Sequence, residues 1–128
     1  MAQGGMTILS PEVAAEQDIE RLVRRFYEKA RAEPTLGPVF NSAIHDWEPH
    51  IATLTDFWSS VTLASGRYKG DPFSAHLPLG LQPDWFPIWL RLWRETAHEV
   101  FPAEVAQVFV EKAERIARSL SSGLFFRP

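Results

Sequence analysis

Two histidines, His50 and His76, lie on opposite sides of one apolar, aromatic-rich stretch of this 128-residue chain. Several aromatic residues stand between and around them, namely Phe26-Tyr27, Phe57-Trp58 and Trp89. An imidazole can bind a metal ion axially, and flat apolar side chains can enclose a planar cofactor. Phenol and indole groups can donate hydrogen bonds to a small ligand. Together these residue types predict a site for an iron porphyrin that binds a diatomic gas.

His76 is the best candidate for the axial iron ligand. Within residues 71–78 it follows a helix-starting Asp-Pro pair and precedes another proline, which predicts a short helix of about one turn. Phe73 and Leu77 supply apolar neighbours that exclude water, and a backbone carbonyl one turn earlier can orient the second ring nitrogen. The local sequence alone is also compatible with an ordinary turn histidine.

His50, Tyr27 and Trp89 are candidates for the opposite, distal side of the site. His50 opens the apolar face of a helix predicted to start at Asp46, and this face continues through Leu54, Phe57, Trp58 and Val61. At that position His50 can gate the cavity or contact a ligand, or it can be a histidine at the edge of the core. Tyr27 and Trp89 can equally be core residues that bond to backbone carbonyls. His45 and His98 lack such a setting and are predicted to be solvated.

Helix-start and helix-stop signals predict an all-α chain. Starts are predicted at Ser10-Pro11-Glu12, Asp46, Asp84 and Phe101-Pro102, and stops at Glu33-Pro34 and Gly123. The segment from Leu36 to Phe40 is predicted to form a tight corner that delivers two apolar side chains inward. Four of the ten prolines fall between Pro72 and Pro87, which leaves the rest of the chain free to be mostly helical.

Composition restricts the function classes further. The net charge of −3 gives no sign of the positively charged surface that binds nucleic acid. The absence of cysteine excludes disulfides and thiolate metal sites. The N-terminus has no secretion signal, and no stretch approaches the roughly 18 apolar residues of a membrane span. We therefore expect a single cytoplasmic domain that binds neither nucleic acid nor a membrane. No spacing of serines, histidines or carboxylates favours a hydrolase.

Several motifs, in their order along the chain from about Ile19 to Leu120, resemble those of the group III truncated haemoglobins. They are Phe26-Tyr27-Glu28-Lys29, Leu36-Gly37-Pro38-Val39-Phe40-Asn41, Trp47 with His50, Phe57-Trp58, His76-Leu77-Pro78 and Ile88-Trp89-Leu90. The resemblance implies an all-α, shortened globin fold, a two-over-two helical sandwich around one haem b. It makes residues 1–128 a single truncated globin domain with terminal extensions at 1–10 and 123–128.

The resemblance also implies roles for individual residues. His76 matches the proximal haem iron ligand, Tyr27 and Trp89 match distal donors to the bound ligand, and His50 matches a distal histidine that swings as a gate. The predicted haem pocket comprises Phe26, Phe40, Leu54, Phe57, Trp58, Phe73 and Leu77.

The expected function is binding of dioxygen, CO and NO at a ferrous iron. Two distal donors predict slow dioxygen release, which favours redox chemistry over oxygen delivery. That chemistry would be nitric oxide dioxygenase-like or peroxidase-like, with a reductase as partner. One alternative is a non-catalytic haem-based gas sensor or carrier that acts through a protein docked on the Leu124 to Phe126 tail. Another is a haem-free helical interaction module.

Overall fold

The computed structural model describes residues 8–70 and 81–125, with side chains described as far as Gly123. These ranges contain five helices and no strand: α1 (Glu16–Ala32), α2 (Leu36–Ala43), α3 (Trp47–Leu63), α4 (Trp85–Val100) and α5 (Ala103–Phe125). The expected all-α class is confirmed. None of the described helices combines the length and apolarity that crossing a membrane requires.

The helices pack as two pairs, α1 with α3 and α4 with α5, and the contact between α1 and α4 joins the pairs. Helix α2 covers the end of α1. The buried face of α1 has the three- and four-residue spacing that the sequence predicts, with Ile19, Leu22, Val23, Phe26, Tyr27 and Ala30. This face fixes which side of α1 meets the core, and it therefore fixes the direction in which Tyr27 points.

Aromatic side chains fill the centre of the core. The ring of Trp93 stacks on Trp58 with centroids 4.4 Å apart, and its indole N–H donates to the carbonyl of Phe109 at 3.2 Å. Phe109 in turn stacks on Phe101 at 4.9 Å. Large aromatic side chains dominate the apolar area that a core buries. These contacts join α3, α4 and α5 behind the region where the site is expected.

The first helix begins later than predicted. Residues 10 to 14 form a turn in which the Ser10 carbonyl accepts hydrogen bonds from Val13 and Ala14, each at 3.1 Å, and α1 starts only at Glu16. The Leu9 N–H donates to the Thr62 carbonyl at 2.7 Å, which ties this segment to the end of α3. That long-range bond, with Ala14 fully buried, competes with helix extension. The prediction of a helix start at Ser10 was wrong for this reason.

The predicted tight corner from Leu36 to Phe40 was also wrong, because these residues begin α2. The Glu33 carboxylate accepts hydrogen bonds from the N–H groups of Thr35 at 2.6 Å and Leu36 at 2.8 Å. These bonds satisfy donors that a helix start leaves free. Pro38 fits because it lies in the first turn. At the other end of the chain, α5 continues past Gly123 to Phe125, so Gly123 does not end it.

Gly37 allows the close approach of α2 to the end of α1. A Cβ at this position would lie 2.5 Å from the carbonyl oxygen of Arg31, a contact that real Cβ atoms do not make. We expect Gly37→Ala to lower the free energy of unfolding by about 1–3 kcal/mol, because backbone rather than a flexible side chain must move. Urea unfolding measures this. Gly123→Ala, at an exposed position inside α5, is the control and should be neutral or slightly stabilising. Equal effects of the two variants would contradict the steric account.

Candidate functional site

A cavity of about 430 Å³ lies beside the core and is lined by residues of all five helices and of the segments around Tyr68 and Leu81. Its lining is mostly apolar and consists of Tyr27, Leu36, Val39, Phe40, Ala43, Ile44, His50, Thr53, Leu54, Phe57, Trp58, Tyr68, Leu81, Trp85, Phe86, Trp89, Ile116, Ala117 and Leu120. The volume is in the range of small-molecule sites. Such a chamber, with few polar groups, suits a largely apolar cofactor.

Two polar side chains meet at the wall of this cavity. The Tyr27 hydroxyl and Nε2 of His50 lie 3.3 Å apart, within hydrogen-bonding distance, and the two rings meet edge to face with centroids 5.5 Å apart. Tyr27 comes from the buried face of α1 and is 5% exposed, whereas His50 stands on the first turn of α3 and is half-buried. The phenol ring is held on another side by Phe40, at 5.3 Å. The fold therefore fixes Tyr27 more firmly than His50.

Burial reinforces the neutral state of the Tyr27 hydroxyl. Removal from water raises the pKa of its hydroxyl far above the ordinary value, since the phenolate would lose its hydration. The group is therefore a neutral hydroxyl at every physiological pH. A neutral hydroxyl can donate one hydrogen bond and accept others. Tyr27 can thus donate its one hydrogen bond either to Nε2 of His50 or to a small ligand in the cavity.

Trp89 of α4 also lines the cavity, whereas Trp93, one turn further along the helix, is buried in the core. Its indole ring lies parallel to that of Trp93 with centroids 6.1 Å apart, and it meets the ring of Phe26 edge to face at 6.2 Å. The N–H of Trp93 is already bonded to the Phe109 carbonyl. Of the two tryptophans, Trp89 is therefore the one placed to act in the cavity.

The remaining predicted site residues fall into three groups. The structure brings together Phe40, Leu54, Phe57 and Trp58 in the cavity lining, with Tyr27, His50 and Trp89. Phe26 does not line the cavity but lies fully buried behind Tyr27 and Trp89. The predicted ligand His76 and its neighbours Phe73 and Leu77 lie outside the described residues. His45 and His98 are exposed, in agreement with the prediction that both are solvated.

Several cavity residues were missed in the sequence. Ile116, Ala117 and Leu120 of α5 form part of the wall, and their spacing on one helix face was a usable signal. Tyr68 lies in an irregular segment, where no periodicity could have pointed to it. Its N–H is held by Oγ of Ser60 at 2.8 Å, and its ring packs edge to face on Phe57 at 5.1 Å.

The chain is similar to a known protein in sequence and to a solved structure in fold. No description of a protein family matches the chain. The chain is 35% identical over 119 residues to a group 3 truncated hemoglobin of Campylobacter jejuni, which covers 89% of this chain and 94% of that protein. The crystal structure of a group III truncated hemoglobin from Campylobacter jejuni superposes with a TM-score of 0.84 at 34% identity, over 91% of this chain and 96% of the other.

The helical architecture, the apolar cavity with its tyrosine and histidine, and these similarities agree with one another. The fold is that of a truncated haemoglobin, and the family implies a haem cofactor, for which the apolar cavity provides a suitable chamber. The chain belongs to the group III truncated haemoglobins.

Proposed function

We propose that the chain holds haem b in the cavity, binds dioxygen, NO and CO at the ferrous iron, and carries out redox chemistry on dioxygen and NO or on peroxide rather than oxygen delivery. The observation that carries the proposal is the buried, protonated Tyr27 hydroxyl at the cavity wall beside His50. When bound, haem supplies an iron centre that binds diatomic gases and exchanges electrons. The proposed proximal ligand is His76.

Tyr27 and Trp89 would stabilise a diatomic ligand that gains negative charge. Both side chains line the cavity, from α1 and α4 respectively, and each carries one hydrogen-bond donor. Hydrogen bonds to a charged acceptor are stronger than those between neutral groups, and an apolar surround strengthens them further. The arrangement thus favours long retention of an anionic ligand, which suits reaction at the site better than release of an unchanged gas.

His50 would control access to the same space. It lies at the start of α3, is half-buried, and contacts Tyr27 across the cavity wall. A side chain at a helix start can change rotamer without disturbing the packed turns that follow. Turning the His50 ring away from Tyr27 would open the wall at that point. The Tyr27 hydroxyl would then lose one partner and face the incoming ligand.

Absorption spectra of the purified, haem-reconstituted protein test cofactor binding. We expect a Soret band in the ferric and ferrous states and its shift on addition of CO. Consumption of NO by the oxygenated protein then tests the reaction. A spectrum without a Soret band would overturn the proposal, and gas binding without NO or peroxide turnover would favour the sensor or carrier alternative.

The raised pKa of Tyr27 predicts a pH-independent donor. An ordinary tyrosine is half ionised near pH ~10, whereas the buried hydroxyl should remain protonated there. We expect the dioxygen dissociation rate to stay within about two-fold between pH ~7 and pH ~10, as far as this group determines it. Stopped-flow displacement of dioxygen by CO measures the rate. A steep rise near pH ~10 that Tyr27→Phe abolishes would show that the hydroxyl ionises normally.

A further inference from the structure

Trp47 contacts both polar residues of the cavity wall from outside the cavity. It is the first residue of α3, is half-buried and does not belong to the cavity lining. Its ring meets that of Tyr27 at 5.2 Å with an interplanar angle of 63°, and that of His50 at 5.9 Å and 88°. The Trp47 ring therefore packs against the rings of both Tyr27 and His50, on the side away from the cavity. A change in the position of the Trp47 ring would therefore alter the packing of both side chains.

Arg31, at the end of α1, holds the Trp47 ring in place. Its guanidinium carbon lies 4.2 Å from the ring centroid, a cation–π distance. Its Nε donates to Oδ1 of Asn41 at 2.9 Å, and the Asn41 amide donates back to the Arg31 carbonyl at 3.5 Å. The three residues come from α1, α2 and α3. The guanidinium of Arg31 is held by Asn41 of α2, and it in turn holds the ring of Trp47 at the start of α3. We refer to Arg31, Asn41 and Trp47 as the brace.

Arg31 is not a core residue, and among the residues that the structure describes it forms no ion pair. Its side chain is exposed, and the recorded partners of its guanidinium are the amide of Asn41 and the ring of Trp47. The planar guanidinium suits this pair of contacts, because it can stack on a ring while its edge donates hydrogen bonds. An exposed arginine with this arrangement orders a neighbouring aromatic side chain rather than neutralising an acid.

We propose that the brace positions the distal pair, and that Arg31 acts through Trp47 to set how often His50 leaves Tyr27. With the Trp47 ring held, the Tyr27 and His50 rings keep their edge-to-face contacts, and the wall stays closed. With the ring released, His50 loses one of its packing surfaces and opens more often. Arg31 is thus a positioning residue for ligand access that touches neither the cavity nor its contents. The inference rests on the proposed function, in which a gas ligand enters the cavity past His50.

The first test is the CO association rate of the ferrous holoprotein, measured after flash photolysis. Arg31→Met keeps the length of the side chain but removes its charge and its donors. We expect it to raise the rate about two- to five-fold, the factor that an exposed cation–π contact represents. Arg31→Lys keeps a cation above the ring and should restore most of the wild-type rate. Arg25→Met is the matched control, because Arg25 is on the same helix and pairs with Glu28 and Glu99 instead.

A double variant shows whether the effect passes through His50. In a His50→Leu background, Arg31→Met should add nothing to the association rate, since the moving group is gone. NMR of the CO form supplies a second readout, in which Arg31→Met should shift the Trp47 indole signal and broaden the His50 ring signals. If Arg31→Met does not fold, Asn41→Ala is the alternative variant. It removes the hydrogen bond that holds the Arg31 guanidinium and should also raise the CO association rate.

Three results would overturn the inference alone: an unchanged rate in Arg31→Met with normal CO binding, the same acceleration from Arg25→Met, or full acceleration in the His50→Leu background. A wild-type protein that binds no CO would instead overturn the proposed function, and the inference with it.

Discussion

Replacing His76 by alanine is expected to abolish stable haem incorporation. The residue lies in the segment between α3 and α4, beyond the described ranges, so its role rests on the sequence. Of the four histidines in the sequence, His76 is the one predicted to lie in a short capped turn with apolar neighbours, which is the setting that an axial imidazole requires. If His76 is the iron ligand, as proposed, its loss would leave only apolar packing to retain the cofactor. Haem titration followed by the ferrous–CO spectrum measures the loss.

The other histidines provide the controls for this prediction. His45→Ala and His98→Ala should retain haem fully, because both side chains are exposed and away from the cavity lining. His50 lines the cavity and could replace a missing ligand, so the decisive protein lacks both His50 and His76. A normal ferrous–CO spectrum from that double variant would show that His76 is not the ligand.

Removing either of the proposed distal donors, Tyr27 or Trp89, is expected to accelerate dioxygen dissociation about ten-fold or more. A hydrogen bond to a charged acceptor contributes roughly 1–3 kcal/mol, and ~1.4 kcal/mol corresponds to a factor of ten. Tyr27→Phe and Trp89→Phe each delete one donor and largely preserve the apolar surface of the wall. Tyr27 is the better placed of the two, because Phe40 and Trp47 hold its ring from two sides. Stopped-flow displacement of dioxygen measures both variants.

CO is the internal control for the donor variants. Bound CO carries little negative charge on its outer atom, so its dissociation should respond less than that of dioxygen. The double variant should deviate from additivity, because two donors to one ligand share one acceptor. Unchanged dioxygen dissociation in both single variants would mean that Tyr27 and Trp89 are packing residues and that the proposed chemistry is wrong.

Helix periodicity was the part of the fold that the sequence predicted well. The stripe from Ile19 to Ala30 on α1 matches its buried face residue for residue. On α4, buried Leu92, Trp93 and Thr96 likewise fall on the aromatic side of the helix that the sequence indicated. Such patterns are local, because one turn of helix brings residues three and four apart onto the same face. A one-residue error in the register would have placed charged side chains in the core.

Helix boundaries were predicted less well, because distant contacts decide them. The turn at Ser10 depends on a hydrogen bond between Leu9 and Thr62, more than fifty residues along the chain. The start of α2 depends on the Glu33 carboxylate, and its approach to α1 depends on Gly37 having no side chain. Capping motifs indicate where a helix can begin, and tertiary contacts select among the candidates.

The residue types of the site, and the helix faces that carry Tyr27, His50 and Trp89, were determined by the sequence itself. The tertiary structure alone decided that Tyr27 and His50, 23 positions apart, approach to 3.3 Å. It also placed Phe26 behind the cavity, Trp47 against both polar rings, and Ile116 of α5 in the cavity wall. The physical reason is that the face of a helix follows from its own periodicity, whereas the distance between two helices depends on how side chains far apart in sequence interlock.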